Sequence, residues 1–392
     1  MKKVLFVANT LQMAGAERVL YNILRNIDKT KYDITVLALV DYGVFVDEIK
    51  KIEGVKYIGG FKGIFGKTTL NKNSIFYNIE NKIMIKKLKK YAKKLKEHAE
   101  DYYPKFIHEK YDIEIAFLEG RVSKFVSKST NPDSKKISWV HSDVTGITNE
   151  NFLSLEDEIE CCKVFDKIVC VSNGVKEKFI EKTGIKDNIS VQINPIDSND
   201  IIEKAKEDIT IEKPEDELVV CGIGRLDPVK GFDRLLRVHK RLLDEGIKHR
   251  VWIVGEGKER PKLEEIIKTN HLEDSAILIG YDMNPYKYLN KSDIYVCSSF
   301  VEGMSSTVIE SVILEKVIVT TNSAGMEEIL GSDNENGLIV KNDEEELYKG
   351  LKEVLTNKAL RDKYAENVKR ISSNFTLEKR IKEVEEKIDS VV

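Results

Sequence analysis

Two positively charged residues lie close together in a glycine-rich turn in the second half of the chain. The run Gly-Ile-Gly-Arg-Leu-Asp-Pro-Val-Lys-Gly occupies residues 222–231, between an apolar segment and a helical pattern. Glycine lets backbone amides approach an anion closely. Arg225 supplies a planar fork and Lys230 a point charge, and both suit phosphate. The pattern predicts a diphosphate contact that includes Gly224; an ordinary strand-to-helix turn with two solvated cations is the alternative.

A second polar motif, Glu-Gly-Met-Ser-Ser-Thr-Val-Ile-Glu, occupies residues 302–310 and follows the apolar run 294–297. Its hydroxyl side chains favour a helix start, where amides and the helix dipole attract phosphate. The residues expected at that start are Ser305, Ser306 and Thr307. Glu302 and Glu310 are poor phosphate ligands but good acceptors for ribose or sugar hydroxyls. The alternative is a surface carboxylate at 302 and a solvated helix residue at 310.

Short apolar runs rich in valine and isoleucine must position these motifs, and helical patterns separate them. The predicted strands are 3–8, 33–39, 113–118, 137–141, 167–171 and 190–193, then 218–223, 250–254, 276–279, 294–297, 317–320 and 337–340. Such runs are typical of parallel strands covered by helices on both faces. The chain therefore predicts an α/β fold with two Rossmann-like, doubly wound parallel-sheet domains. Ligands of two such sheets bind by default in the cleft between them.

The expected domains are an N-terminal domain over 1–196 and a C-terminal domain over 197–375. A helix within 376–392 carries apolar residues on one face and is expected to pack back on the N-terminal domain.

The formal net charge of −3 gives no general attraction to nucleic acid, and no aromatic platform on which bases could stack is found in the sequence. Five cysteines without a Cys-x-x-Cys pair argue against a disulfide framework or a zinc site and fit a cytoplasmic location. No run of about 20 apolar residues predicts a spanning helix.

A lysine-rich segment, residues 82–96, is the least ordinary part of the surface. Apolar residues recur in it at helical spacing, among eight lysines. Such a helix can lie on an anionic membrane, and a helix packed on its own domain with a solvated lysine face is the alternative. The aromatic residues of the preceding loop, 61–67, favour peripheral contact with the inner face of the cell membrane. The lysines expected to face it are Lys86, Lys87, Lys90, Lys93 and Lys94.

The ordered set of motifs resembles the family-4 retaining glycosyltransferases with the GT-B fold. Besides the two C-terminal motifs, the resemblance rests on Ala-Gly-Ala-Glu at 14–17, Trp-Val-His-Ser-Asp at 139–143 and Gly-Glu-Gly at 255–257. Val-Ser-Asn-Gly at 171–174 and Asn-Pro-Ile-Asp at 194–197 extend it across nearly the whole chain. Ala14 departs from the usual glycine pair. Each motif is modest, but their order along the chain is specific.

The resemblance implies that residues 1–196 form the acceptor-side domain and residues 197–375 the nucleotide-sugar donor-binding domain. It also implies a role for each matching residue. Arg225 and Lys230 would hold the donor diphosphate as it departs, and Glu310 would bind the nucleotide ribose. Glu302 would contact the donor sugar. Gly15 would let its loop approach the leaving phosphate or sugar, and His141 would lie near the donor sugar and the acceptor. A lone histidine on a strand is more often structural, but the place of His141 at a strand end favours the functional role.

The chain is therefore expected to move a hexose or N-acetylhexosamine from a nucleoside-diphosphate sugar to a saccharide acceptor, in surface glycan synthesis. The resemblance favours uridine as the base and a lipid-linked acceptor. With no Asp-x-Asp pair, neither a dedicated metal nor another cofactor is expected. The alternatives are a sugar-nucleotide epimerase, which would alter the donor without an acceptor, and a non-catalytic binding protein, which would tolerate loss of Lys230. A nicotinamide dehydrogenase is weaker, because residues 10–16 hold only one glycine.

Overall fold

In a computed structural model, which describes residues 1–12, 15–63, 77–142 and 153–392, the chain divides into two units. The first unit comprises Met1–Pro195 and Glu378–Val392, and the second comprises Ile196–Leu377. Each has its own parallel sheet with helices between successive strands. Ala14 and Asp143, which belong to motifs from the sequence analysis, lie outside the described residues, as do positions 64–67 of the aromatic loop.

The first unit contains a seven-stranded sheet in the order β3-β2-β1-β4-β5-β6-β7. Its strands are β1 Lys2–Ala8, β2 Tyr32–Asp41, β3 Val55–Lys62, β4 Ile113–Ala116, β5 Lys135–Val140, β6 Lys167–Cys170 and β7 Ile189–Val191. Its helices are α1 Gly15–Asn26, α2 Phe45–Lys50, α3 Tyr77–Glu97, α4 Ala99–Phe106, α5 Arg121–Ser127, α6 Leu155–Cys162 and α7 Asn173–Thr183. The interior strands β1, β2, β4, β5 and β6 are mostly buried because helices cover both faces, and Val4 to Val7 are 0% exposed.

The second unit contains a six-stranded sheet in the order β10-β9-β8-β11-β12-β13. Its strands are β8 Leu218–Ile223, β9 His249–Val254, β10 Ala276–Gly280, β11 Ile294–Cys297, β12 Val317–Thr321 and β13 Leu338–Val340. Its helices are α8 Ser198–Lys204, α9 Phe232–Asp244, α10 Arg260–Thr269, α11 Tyr286–Lys291, α12 Ser306–Ile313, α13 Met326–Leu330, α14 Glu344–Thr356 and α15 Lys358–Ser372. A last helix, α16 Leu377–Asp389, belongs almost entirely to the first unit.

The α16 helix packs on the first unit through one apolar face. Ile381, Val384 and Ile388 are 5% exposed or less. The Tyr32 hydroxyl donates to Asp389 Oδ1 at 2.9 Å, and the backbone amide of Asp28 donates to Glu385 Oε1 at 2.9 Å. Apolar burial and these polar contacts at its rim hold the end of the chain against β2 and the segment before it.

Both sheets reverse their strand order at one point. In the first unit β1 lies between β2 and β4, and in the second β8 lies between β9 and β11. The loops that follow the two central strands run to opposite faces, which opens a crevice at the carboxyl ends of the strands. In the second unit these loops follow β8 and β11, and they carry the two motifs singled out in the sequence.

Every strand predicted from the apolar runs is present, with ends within two residues of the prediction. The β3 strand was not predicted. Its sequence, Val-Lys-Tyr-Ile-Gly-Gly-Phe-Lys, contains two glycines, and its residues are half-buried or exposed at the sheet edge. An edge strand needs less apolar burial than a central one, and glycine weakens the strand signal.

Candidate functional site

The loop between β8 and α9 is shaped by two glycines. Gly231 has φ +63°, and a Cβ there would lie 2.2 Å from the carbonyl oxygen of Ser298. A Cβ on Gly224 would meet the side-chain carbons of Lys230 at 3.4 Å. The Lys230 stem therefore lies over Gly224, and Gly231 lets the loop pass close to the segment after β11. Lys230 itself ends a short 3-10 helix, Pro228–Lys230, and α9 begins two residues later at Phe232.

An ion pair joins this loop to the segment after β11. Lys230 Nζ lies 2.6 Å from Glu302 Oε1, and the Ser299 hydroxyl donates to the same oxygen at 2.6 Å. The two charged side chains are only 24% and 12% exposed. Burial alone would lower the pKa of Lys230, but the negative charge of Glu302 outweighs it, and the pKa is raised. Lys230 therefore stays positively charged at the carboxyl ends of β8 and β11.

Arg225 has a different setting from Lys230. Its side chain is 72% exposed, and its Nε lies 2.6 Å from Asp227 Oδ2. Each predicted phosphate-binding cation is thus held by a carboxylate of its own. The structure brings Lys230 together with Glu302, whereas Arg225 is oriented by Asp227 at the surface of the same loop.

The predicted helix start is present at α12, and its polar side chains contact one another. Ser305, only 3% exposed, stands at the N-cap position but does not cap the helix with its hydroxyl. That hydroxyl lies 3.1 Å from Thr307 Oγ1, which also accepts a hydrogen bond from the Tyr295 hydroxyl at 2.6 Å. Ser306 is the first residue of the helix. The cap is therefore made without the usual contact from side chain to backbone amide.

Glu310 is buried on α12, with 5% exposure, and accepts a hydrogen bond from the Tyr286 hydroxyl at 3.2 Å. The interpretation of Glu310 as a solvated helix residue is therefore wrong. Glu302 is likewise enclosed rather than a free surface carboxylate. Buried carboxylates beside hydroxyl donors are able to accept further hydrogen bonds from a polyol, because a carboxylate has about four acceptor positions.

The sequence analysis missed Arg234, a residue of α9 that is 1% exposed. Its guanidinium donates from Nε to Ser298 O at 2.9 Å and from Nη2 to Ser299 O at 2.9 Å. It also donates to Asn342 Oδ1 at 2.9 Å and lies 3.9 Å from the Phe300 ring centroid. Arg234 thereby fixes the segment that leads to Glu302. The sequence did contain a hint of this role: Arg234 lies four residues after Lys230 and directly before two apolar residues.

His141, in the first unit, follows β5 and is largely enclosed. Burial lowers its pKa to about 3, so its imidazole is neutral at pH 7. Its ring lies 4.9 Å from that of Phe117, and no hydrogen-bond partner for its Nε2 is found within the described part of the chain. Its backbone amide donates to Glu119 Oε2 at 2.9 Å. Glu119, a strand-end carboxylate after β4, was not singled out in the sequence; burial raises its pKa.

Gly15, the other predicted residue of this unit, is exposed and begins α1 just after β1 and its loop. It and His141 follow strands that lie on the two sides of β4, so both belong to the carboxyl edge of the first sheet.

The lysine-rich segment forms the helix α3, whose apolar side chains divide between two environments. Met84 and Leu95 are 1% and 0% exposed, whereas Ile79, Ile83 and Ile85 are 59%, 42% and 46% exposed. The buried pair anchors the helix on the first unit. The exposed isoleucines leave an apolar surface among lysines on the N-terminal half of the helix.

The five predicted membrane-facing lysines also divide. Lys86 and Lys90 are exposed, and Lys93 is exposed with its Nζ 3.9 Å from Glu97. Lys87 Nζ donates to Gly63 O at 3.4 Å, and Lys94 lies 5.9 Å from the Phe61 ring centroid. The latter two contact their own unit.

Phe61 is not the exposed loop aromatic that the sequence analysis assumed. It lies in β3, where its ring stacks on Tyr91 at 4.3 Å and packs edge-on against Tyr102 and Phe106. That part of the argument for membrane contact is wrong.

The described helices include none that is both long and apolar enough to cross a bilayer. Within the same residues, no group of three or more His, Cys, Asp or Glu side chains is arranged to hold a metal ion.

The family model and the relatives that this chain resembles in sequence are described as glycosyltransferases. Residues 203–371 match the family model described as Glycosyl transferases group 1. A Campylobacter jejuni protein, N-acetylgalactosamine-N,N'-diacetylbacillosaminyl-diphospho-undecaprenol 4-alpha-N-acetylgalactosaminyltransferase, is 32% identical over 57% of this chain and 61% of that relative. An uncharacterized glycosyltransferase of Haemophilus influenzae is 26% identical over 98% of this chain and 99% of its own length. Anabaena HepE, solved in complex with UDP, has a TM-score of 0.72 at 16% identity, with 100% of both chains covered.

The predicted fold class is confirmed by the two parallel sheets and by the structural likeness over the full length of HepE. The resemblance to glycosyltransferases with the GT-B fold is confirmed at the level of the superfamily. The family match covers the loops after β8 and β11 and the helix α12, which carry Lys230, Glu302 and Glu310 respectively.

Proposed function

We propose that this chain is a retaining glycosyltransferase, because residues 203–371 match the family model described as Glycosyl transferases group 1. It moves a hexose or N-acetylhexosamine from a nucleoside-diphosphate sugar to a saccharide acceptor. The Lys230–Glu302 ion pair carries the proposal, because it joins the two loops at the strand-order reversal of the second sheet. That crevice is where doubly wound sheets bind nucleotides.

The donor diphosphate would be bound by Lys230 and Arg225 and by the amides that begin α12. Negative charge grows on the diphosphate as the anomeric bond breaks, and a fixed cation stabilises it most when little solvent surrounds it. Lys230 meets that condition, since it is largely enclosed and remains charged. Arg225, mostly exposed, is free to swing onto the diphosphate at the cost of its contact with Asp227.

The carboxylates would bind hydroxyl groups of the donor. Glu310, buried on α12, would accept hydrogen bonds from the ribose, and Glu302 from the sugar. Uridine is the base we favour, because HepE, which shares the fold, was solved in complex with UDP.

Retention would follow from attack on the same face that the diphosphate leaves. The acceptor oxygen forms a bond to the anomeric carbon as the bond to the diphosphate oxygen breaks, and the leaving phosphate takes the proton of the acceptor hydroxyl. No separate nucleophile is required. His141, neutral because of burial, would accept or donate a hydrogen bond near the sugar, and Gly15 would let its loop approach the leaving group.

The acceptor we propose is a lipid-linked saccharide of a surface glycan. The Campylobacter relative is named for transfer to a diphospho-undecaprenol saccharide. The exposed lysines and isoleucines of α3 suit peripheral contact with an anionic membrane, where such an acceptor would reside.

A screen of UDP- and GDP-sugars tests the donor directly. We expect a UDP-sugar to raise the melting temperature of the protein, and to do so in the presence of EDTA, because ligand binding to the folded state stabilises it and protein cations replace a metal. Differential scanning fluorimetry measures the shift, and product release with an acceptor measures turnover. A shift only with added Mg²⁺ would contradict metal independence. Altered donor released without an acceptor would indicate an epimerase instead.

Liposome co-sedimentation tests the membrane contact. Replacing Lys86 and Lys90 by glutamine should weaken binding to anionic vesicles about tenfold or more, since a lysine near such a surface contributes ~1 kcal/mol. The double variant Lys291→Gln/Lys363→Gln removes the same charge from exposed positions of the second unit and serves as the control. Equal partitioning of the two double variants would show that α3 does not face the membrane.

A further inference from the structure

A cavity of about 600 Å³ lies within the first unit, beside α3. Its wall includes Asn9 and Thr10, which follow β1, and Arg121, which begins α5 after β4. Since β1 and β4 are neighbours where the strand order reverses, the cavity lies at the topological switch point of the first sheet. None of the residues in the candidate donor site belongs to it. Its described lining residues are Asn9, Thr10, Gln12, Val40, Ile85, Leu88, Lys89, Ala92, Lys93, Lys96 and Arg121.

Four cations converge on this cavity from two helices. Lys89, Lys93 and Lys96 are spaced four and three residues apart, which places them on one face of α3. Arg121 is 9% exposed and contributes from the opposite helix a planar guanidinium, the group best matched to phosphate oxygens. The described lining residues include no acidic one, and Lys93 Nζ lies 3.9 Å from the neighbouring Glu97 on the same helix. Such a set favours a ligand that carries more than one negative charge.

The same cavity has an apolar wall that begins beside the cations. Val40, Leu88 and Ala92 line it, together with Ile85, which is 46% exposed and so extends the wall to the surface. Ile83 and Ile79 continue the exposed apolar residues toward the N-terminus of α3. A free sugar phosphate or a nucleotide would leave this wall unused, and the described lining offers no aromatic ring on which a base could stack. A hydrocarbon chain attached to the phosphate would cover it.

The polar residues after β1 supply the third kind of contact. Asn9, Thr10 and Gln12 offer amide and hydroxyl groups that both donate and accept hydrogen bonds, which suits saccharide hydroxyls. One cavity thus holds hydrogen-bonding groups, cations and an apolar wall, the three surfaces that a saccharide, a diphosphate and a hydrocarbon chain would each need.

We propose that this cavity binds the diphosphate and the first isoprene units of a polyprenyl-diphosphate-linked saccharide acceptor, with the cations on the diphosphate and the isoleucine side on the chain. The proposal rests on the proposed glycosyltransferase function and assigns its acceptor subsite to named residues. It also divides the lysines of α3: Lys89, Lys93 and Lys96 serve the cavity, whereas Lys86 and Lys90 serve the membrane.

Farnesyl diphosphate, used below its micellar concentration, tests the subsite on the full chain by isothermal titration calorimetry. We expect it to bind at least tenfold more tightly than inorganic pyrophosphate, because only the former covers the apolar wall. Lys93→Gln/Lys96→Gln should weaken its binding at least tenfold. Ala92→Glu, which places a negative charge in the wall, should do the same without touching Arg121. Lys110→Gln/Lys128→Gln, which removes two exposed charges of the first unit, should bind normally.

Equal affinity for pyrophosphate and farnesyl diphosphate would overturn the proposal in favour of a plain anion site. Unchanged binding in the folded cavity variants would overturn it as well. The UDP-sugar thermal shift is measured on the same variants and separates the two proposals. A normal donor shift with no farnesyl diphosphate binding removes the subsite alone, whereas farnesyl diphosphate binding with no donor shift supports the subsite and contradicts the transferase.

Discussion

Replacement of Lys230 by alanine should lower turnover about 10²–10³-fold, because it removes a fixed, enclosed cation from the departing diphosphate. Lys230 also neutralises Glu302, which is 12% exposed, so a loss of activity by itself has two explanations. The double variant Lys230→Ala/Glu302→Gln separates them. Because Glu302 is itself assigned to the donor sugar, the double variant is compared with the single variant Glu302→Gln. If the lysine acts on the diphosphate directly, the double variant stays about 10²–10³-fold slower than Glu302→Gln.

Steady-state kinetics with a UDP-sugar and an acceptor extract measure the effect, and circular dichroism checks the fold. Lys258→Ala is the matched control, since this exposed lysine lies in the turn after β9 and contacts no proposed ligand. Wild-type-like turnover by a folded Lys230→Ala protein would refute the assigned role. Recovery of turnover in the double variant would reduce Lys230 to a counter-charge for Glu302.

The fold was predictable because parallel strands leave a strong signal in the sequence. Buried runs such as 4–7 and 219–221 are continuous in apolar residues, since helices cover both of their faces. The edge strand β3 lacked this signal. Its half-exposed residues and its glycine pair are compatible with a loop as well as with a strand, and only pairing with β2 decides between them.

The residue types of the candidate site were predictable from the sequence, but the contacts between those residues were not. Lys230 and Glu302 are separated by 72 positions, and their 2.6 Å contact depends on β8 and β11 being neighbours in the sheet. Strand order is a property of the whole fold that local spacing does not reveal. By contrast, Asp227 lies only two residues from Arg225, so its contact with the guanidinium is local, but the sequence analysis did not consider it.

Arg234 and Glu119 were missed for a common reason. A charged residue in an amphipathic helix or at a strand end is usually solvated, so sequence patterns assign it to the surface. Both are instead enclosed and bound to backbone groups of neighbouring loops, the Ser298 carbonyl for Arg234 and the His141 amide for Glu119. Their function is to position loops that carry other residues, and such a role becomes visible only when the loop geometry is known.

Arg234→Lys should destabilise the second unit by about 2–4 kcal/mol, since hydrogen bonds to charged groups contribute roughly 1.5–3 kcal/mol each. An ammonium cannot reach the acceptors of Ser298, Ser299 and Asn342 together as the guanidinium does. The donor-induced thermal shift should also shrink, because the segment that leads to Glu302 loses its anchor.

Urea unfolding measures the first effect and scanning fluorimetry the second. Arg237→Lys, on the same helix, is the control: Arg237 is 45% exposed and pairs with Glu344 at 2.7 Å, and such surface pairs contribute roughly 0–1 kcal/mol. Equal destabilisation by the two substitutions would show that the Arg234 contacts are dispensable. If Arg234→Lys is destabilised but keeps a normal donor-induced thermal shift, Arg234 stabilises the second unit without positioning Glu302.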